Sequence, residues 1–173
     1  MPFTIAQVTP WPWEQHHEVN RFVERLSDEL CGRGHRVVVV APSDSRELVR
    51  DGRAMVKALP NNPGALFAEP GCASVVAVGQ SLPFRRGGSV SLPIDVSRTL
   101  EDLLDQAELD FVHVHEPFAP SAASAALRHS HALNIGTFHS TTERFVSTQV
   151  ARKVVELLFG RLDGRATSYA ATR

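Results

Sequence analysis

Two short segments concentrate the side chains that can do chemistry. In DFVHVHEP, His113 and His115 sit two residues apart and Glu116 follows; in TFHSTT, His139 precedes Ser140, Thr141 and Thr142. A neutral imidazole carries one donor and one acceptor, and a hydroxyl carries both on one atom. Such a set suits a ligand rich in hydroxyl groups. Thr141 and Thr142 are also placed to cap a following helix, whose first N–H groups and partial positive charge suit a phosphate or a sugar hydroxyl. His113 and His115 alternate onto one strand face, and Glu116 and His139 make a metal site conceivable. A divalent ion needs three or four converging ligands, however, and spacing fixes only the pair, so no metal is expected. His139 reads either as a ligand-facing group or as a strand-end histidine satisfied by nearby backbone. Arg85 and Arg86, in a turn-rich stretch, suit either an acidic acceptor such as a lipid phosphate or a solvated turn. Trp11 and Trp13 are suited to stacking on a sugar, entering a membrane interface or capping a core, and the sequence does not separate these.

Positioning these groups requires elements. Residues 3–9 form a β-rich run, and a loop at 10–18 follows it. Val19, Phe22, Val23, Leu26 and Leu30 recur at helical spacing, and Gly32 and Gly34 supply the left-handed stop. Residues 35–41 are nearly all β-branched, predicting a strand covered on both faces and stopped by Pro42. We read residues 43–74 as a long decorated connection with one short helix and a strand at 54–59. A strand at 75–78 and a basic loop at 83–93 come next. Regular alternation then resumes: a helix through Val96, Leu100, Leu103 and Leu104, a strand at 110–115, an alanine-rich helix at 120–128, a strand at 133–138, a helix at 141–159 and a strand from 165. Strands alternating with helices imply an α/β fold with a doubly wound, mostly parallel sheet and right-handed crossovers. In such a sheet ligands bind outside the carboxyl ends of the strands, where His115, Glu116 and His139 fall.

Composition narrows the function classes. The 173 residues suit one domain with a real core, at 43% apolar and 21% charged. A net charge of −1 gives no electrostatic footprint for nucleic acid. The longest apolar runs fall far short of the roughly 18 residues that span a bilayer. The N-terminus does not read as a secretory signal, and Cys31 and Cys72 lack the spacing of a zinc site or a disulfide framework, so a cytoplasmic setting is expected. There is no GxxxxGK[ST], no GxGxxG after the first strand and no GxSxG, which disfavours P-loop NTPases, dinucleotide oxidoreductases and α/β-hydrolases.

Taken in order, LCGRGHRVVVVAP, DFVHVHEPFAPSAASAAL and GTFHSTTERF resemble the N-terminal domain of family-4 retaining glycosyltransferases of the GT-B type. They are similar in particular to the bacterial phosphatidylinositol mannosyltransferases. The resemblance spans nearly the whole chain. It implies that residues 1–173 are a Rossmann-like, acceptor-side domain forming one wall of a cleft, the donor-binding C-terminal domain being its missing partner. The implied reaction moves a sugar from a UDP- or GDP-linked nucleotide-sugar co-substrate, with no other cofactor, to an acceptor hydroxyl, sugar or lipid-linked. By the same resemblance His139 faces the reacting sugar, Glu116 and Pro117 form the HEP turn, Asn20 lies near the acceptor and Ser89 belongs to the acceptor-side loop. Ser140, Thr141, Thr142, His115, Arg85 and Arg86 complete the expected sugar- and acceptor-binding set. Peripheral contact with the inner face of the cytoplasmic membrane and self-association of the lone domain are further expectations. One departure stands out: where the family carries a Gly-Gly pair before the first helix, this sequence reads His17 and Glu18. A carboxylate there would crowd and repel a donor diphosphate, so a non-catalytic sugar- or acidic-glycolipid-binding module is the alternative.

Overall fold

The computed structural model describes residues 1–67, 71–84, 88–91, 93–119, 121–139 and 149–168. Seven strands form one sheet: β1 (Thr4–Val8), β2 (Arg36–Ser43), β3 (Ser74–Phe84), β4 (Gly88–Ser91), β5 (Phe111–His115), β6 (Leu133–Phe138) and β7 (Gly164–Thr167). The helices are α1 (Glu18–Gly32), α2 (Arg46–Ala58), α3 (Pro93–Gln106), α4 (Ala122–His129) and α5 (Gln149–Phe159), with a short 3-10 turn at Pro63–Phe67. The sheet order is β4-β3-β2-β1-β5-β6-β7. Every pairing is parallel except the β3–β4 hairpin at one edge. The expected doubly wound α/β sheet is thus present, and the chain reverses direction across the sheet between β1 and β5. That reversal is the topological switch point, where two crossovers diverge and leave a crevice beyond the strand ends.

Local chemistry explains the elements. β2 is buried from Val37 to Ser43, as its unbroken apolar character requires. Gly34 takes φ +85, and the His35 and Gly34 N–H groups reach back to the Leu30 and Cys31 carbonyls, closing α1 with a left-handed cap. Gly32 is instead the last helical residue. Ser121 caps α4 through its hydroxyl, with Ser124 bonding back. Alternate residues of the strands, among them Ala6, Val8, Val38, Val40, Val112 and Val114, meet Leu100, Leu103 and Leu127 in the main core. On the other face Val19 and Val23 of α1 pack over Val39 with Trp11 and Trp13.

Four expectations need correction or limits. Residues 54–59 are not a strand but the end of the 13-residue α2. Val49, Gly52, Val56 and Leu59 recur every three or four residues and are buried, and the Ser45 hydroxyl caps the helix start by accepting from the Leu48 N–H. Pro42 does not stop β2, because the ladder to β3 shifts register between Ala41 and Pro42 and thereby accommodates a residue without an N–H. The expected basic loop at 83–93 is in part a hairpin, with Pro83 opposite Ser89, while Arg85 and Arg86 lie outside the described residues. Of the helix expected at 141–159, only Gln149–Phe159 lies within them.

α2 crosses β3 so closely that a Cβ on Gly52 would collide with the Ala77 carbonyl oxygen. Backbone on the far side cannot yield, so Gly52→Ala should lower the unfolding free energy by about 1–3 kcal/mol in urea titrations. Gly32→Ala, with open space around the new methyl, should leave stability unchanged or slightly raised. Equal stability of the two variants would contradict this packing.

Candidate functional site

At the switch point, β1 and β5 run side by side, with Gln7 paired to His113 in register and His115 one step beyond Val114. β6 continues the row, setting His115 opposite Thr137. Gln7 and His115 are both fully buried. His115 Nε2 lies 2.8 Å from Gln7 Oε1, and His115 Nδ1 lies 3.0 Å from His139 Nε2. His139 Nδ1 then meets Ser168 Oγ at 3.2 Å, just past β7. One chain of hydrogen bonds therefore runs from inside the sheet to its rim. His113 sits beside it, its ring 4.4 Å from that of His115 and its Nε2 2.7 Å from Thr137 Oγ1.

Three further features hold the rim. Glu116 adopts φ 53, a left-handed conformation unusual for a side-chain-bearing residue, where the chain leaves β5. Its carboxylate accepts the His139 backbone N–H at 2.9 Å, and its own N–H reaches the Thr137 carbonyl at 3.0 Å. Phe22 of α1 sets its ring edge-on to both His139 and His115, at 4.9 and 5.8 Å between centroids. At the start of α1, His17 caps the helix by accepting the Val19 N–H on Nδ1, with Trp11 stacked on the ring at 4.1 Å. Trp11, His17, Glu18, Phe22, Glu116, His139 and Ser168 line an open cleft of about 580 Å³.

Burial sets the charge state. It pushes His113 down to about 4 and His115 well below the ordinary 6.5, and the neighbouring imidazoles push both the same way. His139 is lowered by burial and by His17, and His17 by its own burial against the opposing pull of Glu18. All four rings are neutral at neutral pH, so each has one donor and one acceptor.

The structure therefore brings His115, Glu116, His139, His17 and Glu18 together. Asn20 is buried beneath them: its Oδ1 accepts the Thr9 hydroxyl at 2.7 Å and its Nδ2 donates to the Pro12 carbonyl at 2.8 Å, tying the 10–17 loop to α1. Ser89 lies on the β4 edge strand, with β3, β2 and β1 between it and β5. Arg85, Arg86, Ser140, Thr141 and Thr142 lie outside the described residues. Among the described residues, no three His, Cys, Asp or Glu side chains are placed to hold a metal ion. Sequence reasoning missed Gln7, Ser168 and the position of Phe22 on the cleft wall. Gln7 had a signal, since it is the one amide in a central strand whose neighbouring residues Ile5, Ala6 and Val8 are apolar. Ser168 had none, because nothing in the sequence aligns the end of β7 with His139.

The depressed histidines make stability depend on pH. Unfolded, each titrates near 6.5 and binds a proton that the folded form refuses. Stability is then complete above that value and is lost as pH falls through it toward the folded values. Urea unfolding should show the loss growing between neutral pH and about pH 4, by on the order of 1 kcal/mol per pH unit for each of His113 and His115. His113→Gln should make the profile shallower by about one proton; an unchanged slope would show that His113 is not held neutral.

Comparison with known proteins supplies the family. The model of Glycosyltransferase Family 4 matches residues 19–171. Proteins named phosphatidyl-myo-inositol mannosyltransferase are similar along most of the chain: 26% identical in Propionibacterium freudenreichii, over 92% of this chain and 39% of that protein. The one from Mycobacterium leprae is 27% identical over 93% and 38%, and that from Mycolicibacterium smegmatis 24% over 93% and 37%. The chain thus spans about two fifths of the length of these relatives. With a Rossmann-like sheet, a rim of polar groups at its switch point and a family model covering nearly all of it, the chain belongs to glycosyltransferase family 4.

Proposed function

We propose that this chain is the acceptor-side wall of a retaining glycosyltransferase, moving a sugar from a UDP- or GDP-linked donor to an acceptor hydroxyl. The observation that carries the reading is the open cleft at the switch point, with neutral His139 at its lip and its backbone clamped by Glu116. The cleft has polar and aromatic walls suited to a sugar ring: Phe22 and Trp11 supply flat apolar surface, while His139, Ser168 and Glu116 supply hydrogen-bonding groups. In this reading a second domain closes the cleft and holds the nucleotide. The chain alone is then inactive, and the leaving phosphate takes the acceptor proton. What these residues contribute is orientation and charge placement, not proton transfer. The acceptor is lipid-linked or phosphoinositide-like and is reached by peripheral contact with the inner face of the membrane. Among the described residues no helix is long and apolar enough to cross a bilayer.

The second reading, a binding module without transfer, has its own support. At the start of α1 the Val19 N–H is already taken by His17, and Glu18 places a carboxylate on the cleft wall. A helix start used in this way is a poorer seat for a diphosphate.

Three measurements bear on these readings. In the chain joined to its donor-binding half, His139→Ala should lower kcat for transfer by about 10²–10³-fold, as for loss of an oriented hydrogen-bonding group in a transition state; transfer near the wild-type rate would take His139 out of the site. For the chain by itself, UDP- and GDP-sugars should leave Tm almost unchanged, the stabilisation falling well under the about 2.7 kcal/mol that ligand at a hundredfold Kd confers. A large shift would place the nucleotide on this domain. Binding of a sugar or acidic glycolipid with no transfer by the joined protein would favour the binding module.

A further inference from the structure

The relay behind His139 raises a question of direction. Each neutral imidazole has one proton, so a chain of such rings must run one way: reversing any one bond reverses them all. His115 cannot set the direction, since both of its nitrogens are engaged and it is fully buried. Ser168 cannot impose it either, because a hydroxyl rotates to donate or accept. Gln7 differs. Its amide has a fixed acceptor end and a fixed donor end, it is fully buried, and its carbonyl oxygen faces His115. Among the described residues its Nε2 has no hydrogen-bond partner. A buried amide half of whose hydrogen-bonding capacity goes unused is a poor choice for packing, where a leucine would fill the space without the desolvation cost.

We propose that Gln7 is a positioning residue for His139: through His115 it fixes which nitrogen of the His139 ring carries the proton, and so leaves Nδ1 as an acceptor facing the cleft. The bonds follow in order. The His115 Nε2–H donates to the Gln7 carbonyl, which leaves His115 Nδ1 with a lone pair. That lone pair accepts the His139 Nε2–H, which in turn leaves His139 Nδ1 unprotonated. Ser168 Oγ, exposed at the cleft, donates to Nδ1 when no ligand is present. A substrate hydroxyl that displaces Ser168 meets an acceptor, so the ring selects a ligand group that donates. The depressed affinity of His115 and His139 for protons agrees with this, since a doubly protonated ring would break the chain. The inference rests on the reading that His139 meets the sugar only for its consequence in transfer; the tautomer itself is a property of this chain.

The test is the ¹⁵N spectrum of the histidine rings in the labelled chain at neutral pH. The expected wild-type pattern for His139 is a protonated, pyrrole-type Nε2 and an unprotonated, pyridine-type Nδ1. Gln7→Leu removes the fixed acceptor, and the two His139 nitrogens should shift toward the averaged position of exchanging tautomers. Ser168→Ala should preserve the wild-type asymmetry, and this variant decides the matter with the wild-type spectrum if Gln7→Leu does not fold. A protonated Nδ1 in the wild type, an unchanged His139 pattern in folded Gln7→Leu, or an inverted or averaged pattern in Ser168→Ala would overturn the proposal. Because no sugar enters the measurement, loss of transfer with the pattern intact would count against the glycosyl-transfer reading and not against Gln7.

Discussion

Everything at the rim depends on the exclusion of water from the face of β1, β5 and β6 that carries Gln7, His113 and His115. A charged imidazole there would lose its hydration, and burying an unpaired charge costs several kcal/mol. The rings answer by staying neutral, and neutrality turns them from cations into paired donors and acceptors. That change makes a relay possible, since two protonated rings facing each other could only repel. Phe22 of α1, laid edge-on over His115 and His139, belongs to the same cover. The first helix therefore helps to cover residues more than ninety positions later in the chain.

Glu116 shows where conformational energy is stored. A left-handed φ costs a residue with a side chain roughly 1–2 kcal/mol, and the turn after β5 accepts it. In return the carboxylate reaches across to the His139 N–H while the Glu116 N–H continues the β5–β6 ladder onto Thr137. The two strand ends that carry His115 and His139 are thus joined three times: by the ladder, by the carboxylate and by the rings. Strain at a strand end that is over-determined in this way is the arrangement expected where side-chain placement matters more than local comfort.

Much of this was legible in the sequence, and the exceptions have physical causes. The β–α alternation, the strand at 133–138 and the gathering of His115, Glu116 and His139 at strand ends follow from period and from the rule for open sheets. The misread segment, α2, has arginines and a lysine at 46, 50, 53 and 57, which fill its solvent side; its inner stripe runs through a glycine at 52, where an apolar side chain would have revealed the period. Pro42 reads as a stop because the register shift that tolerates it belongs to the pairing of β2 with β3, which no single strand encodes. Ser168, and the use made of the Gln7 amide, escape the sequence for a related reason: these roles exist only once β1, β5, β6 and β7 have been brought into line by the whole sheet.

The start of α1 gives the same principle a different outcome. A helix N-terminus leaves free N–H groups, and these can serve an anion or be satisfied from within. Here His17 takes the inner option, accepting from Val19 on Nδ1 while Trp11 covers its ring, and Asn20 straps the preceding loop to the helix through Thr9 and Pro12. A pair of glycines at 17 and 18 would leave the backbone open to a diphosphate; a capping imidazole and a carboxylate fill that space with side chains. The cost falls on anion binding at this one turn, and the gain is a rigid loop that presents Trp11 to the cleft.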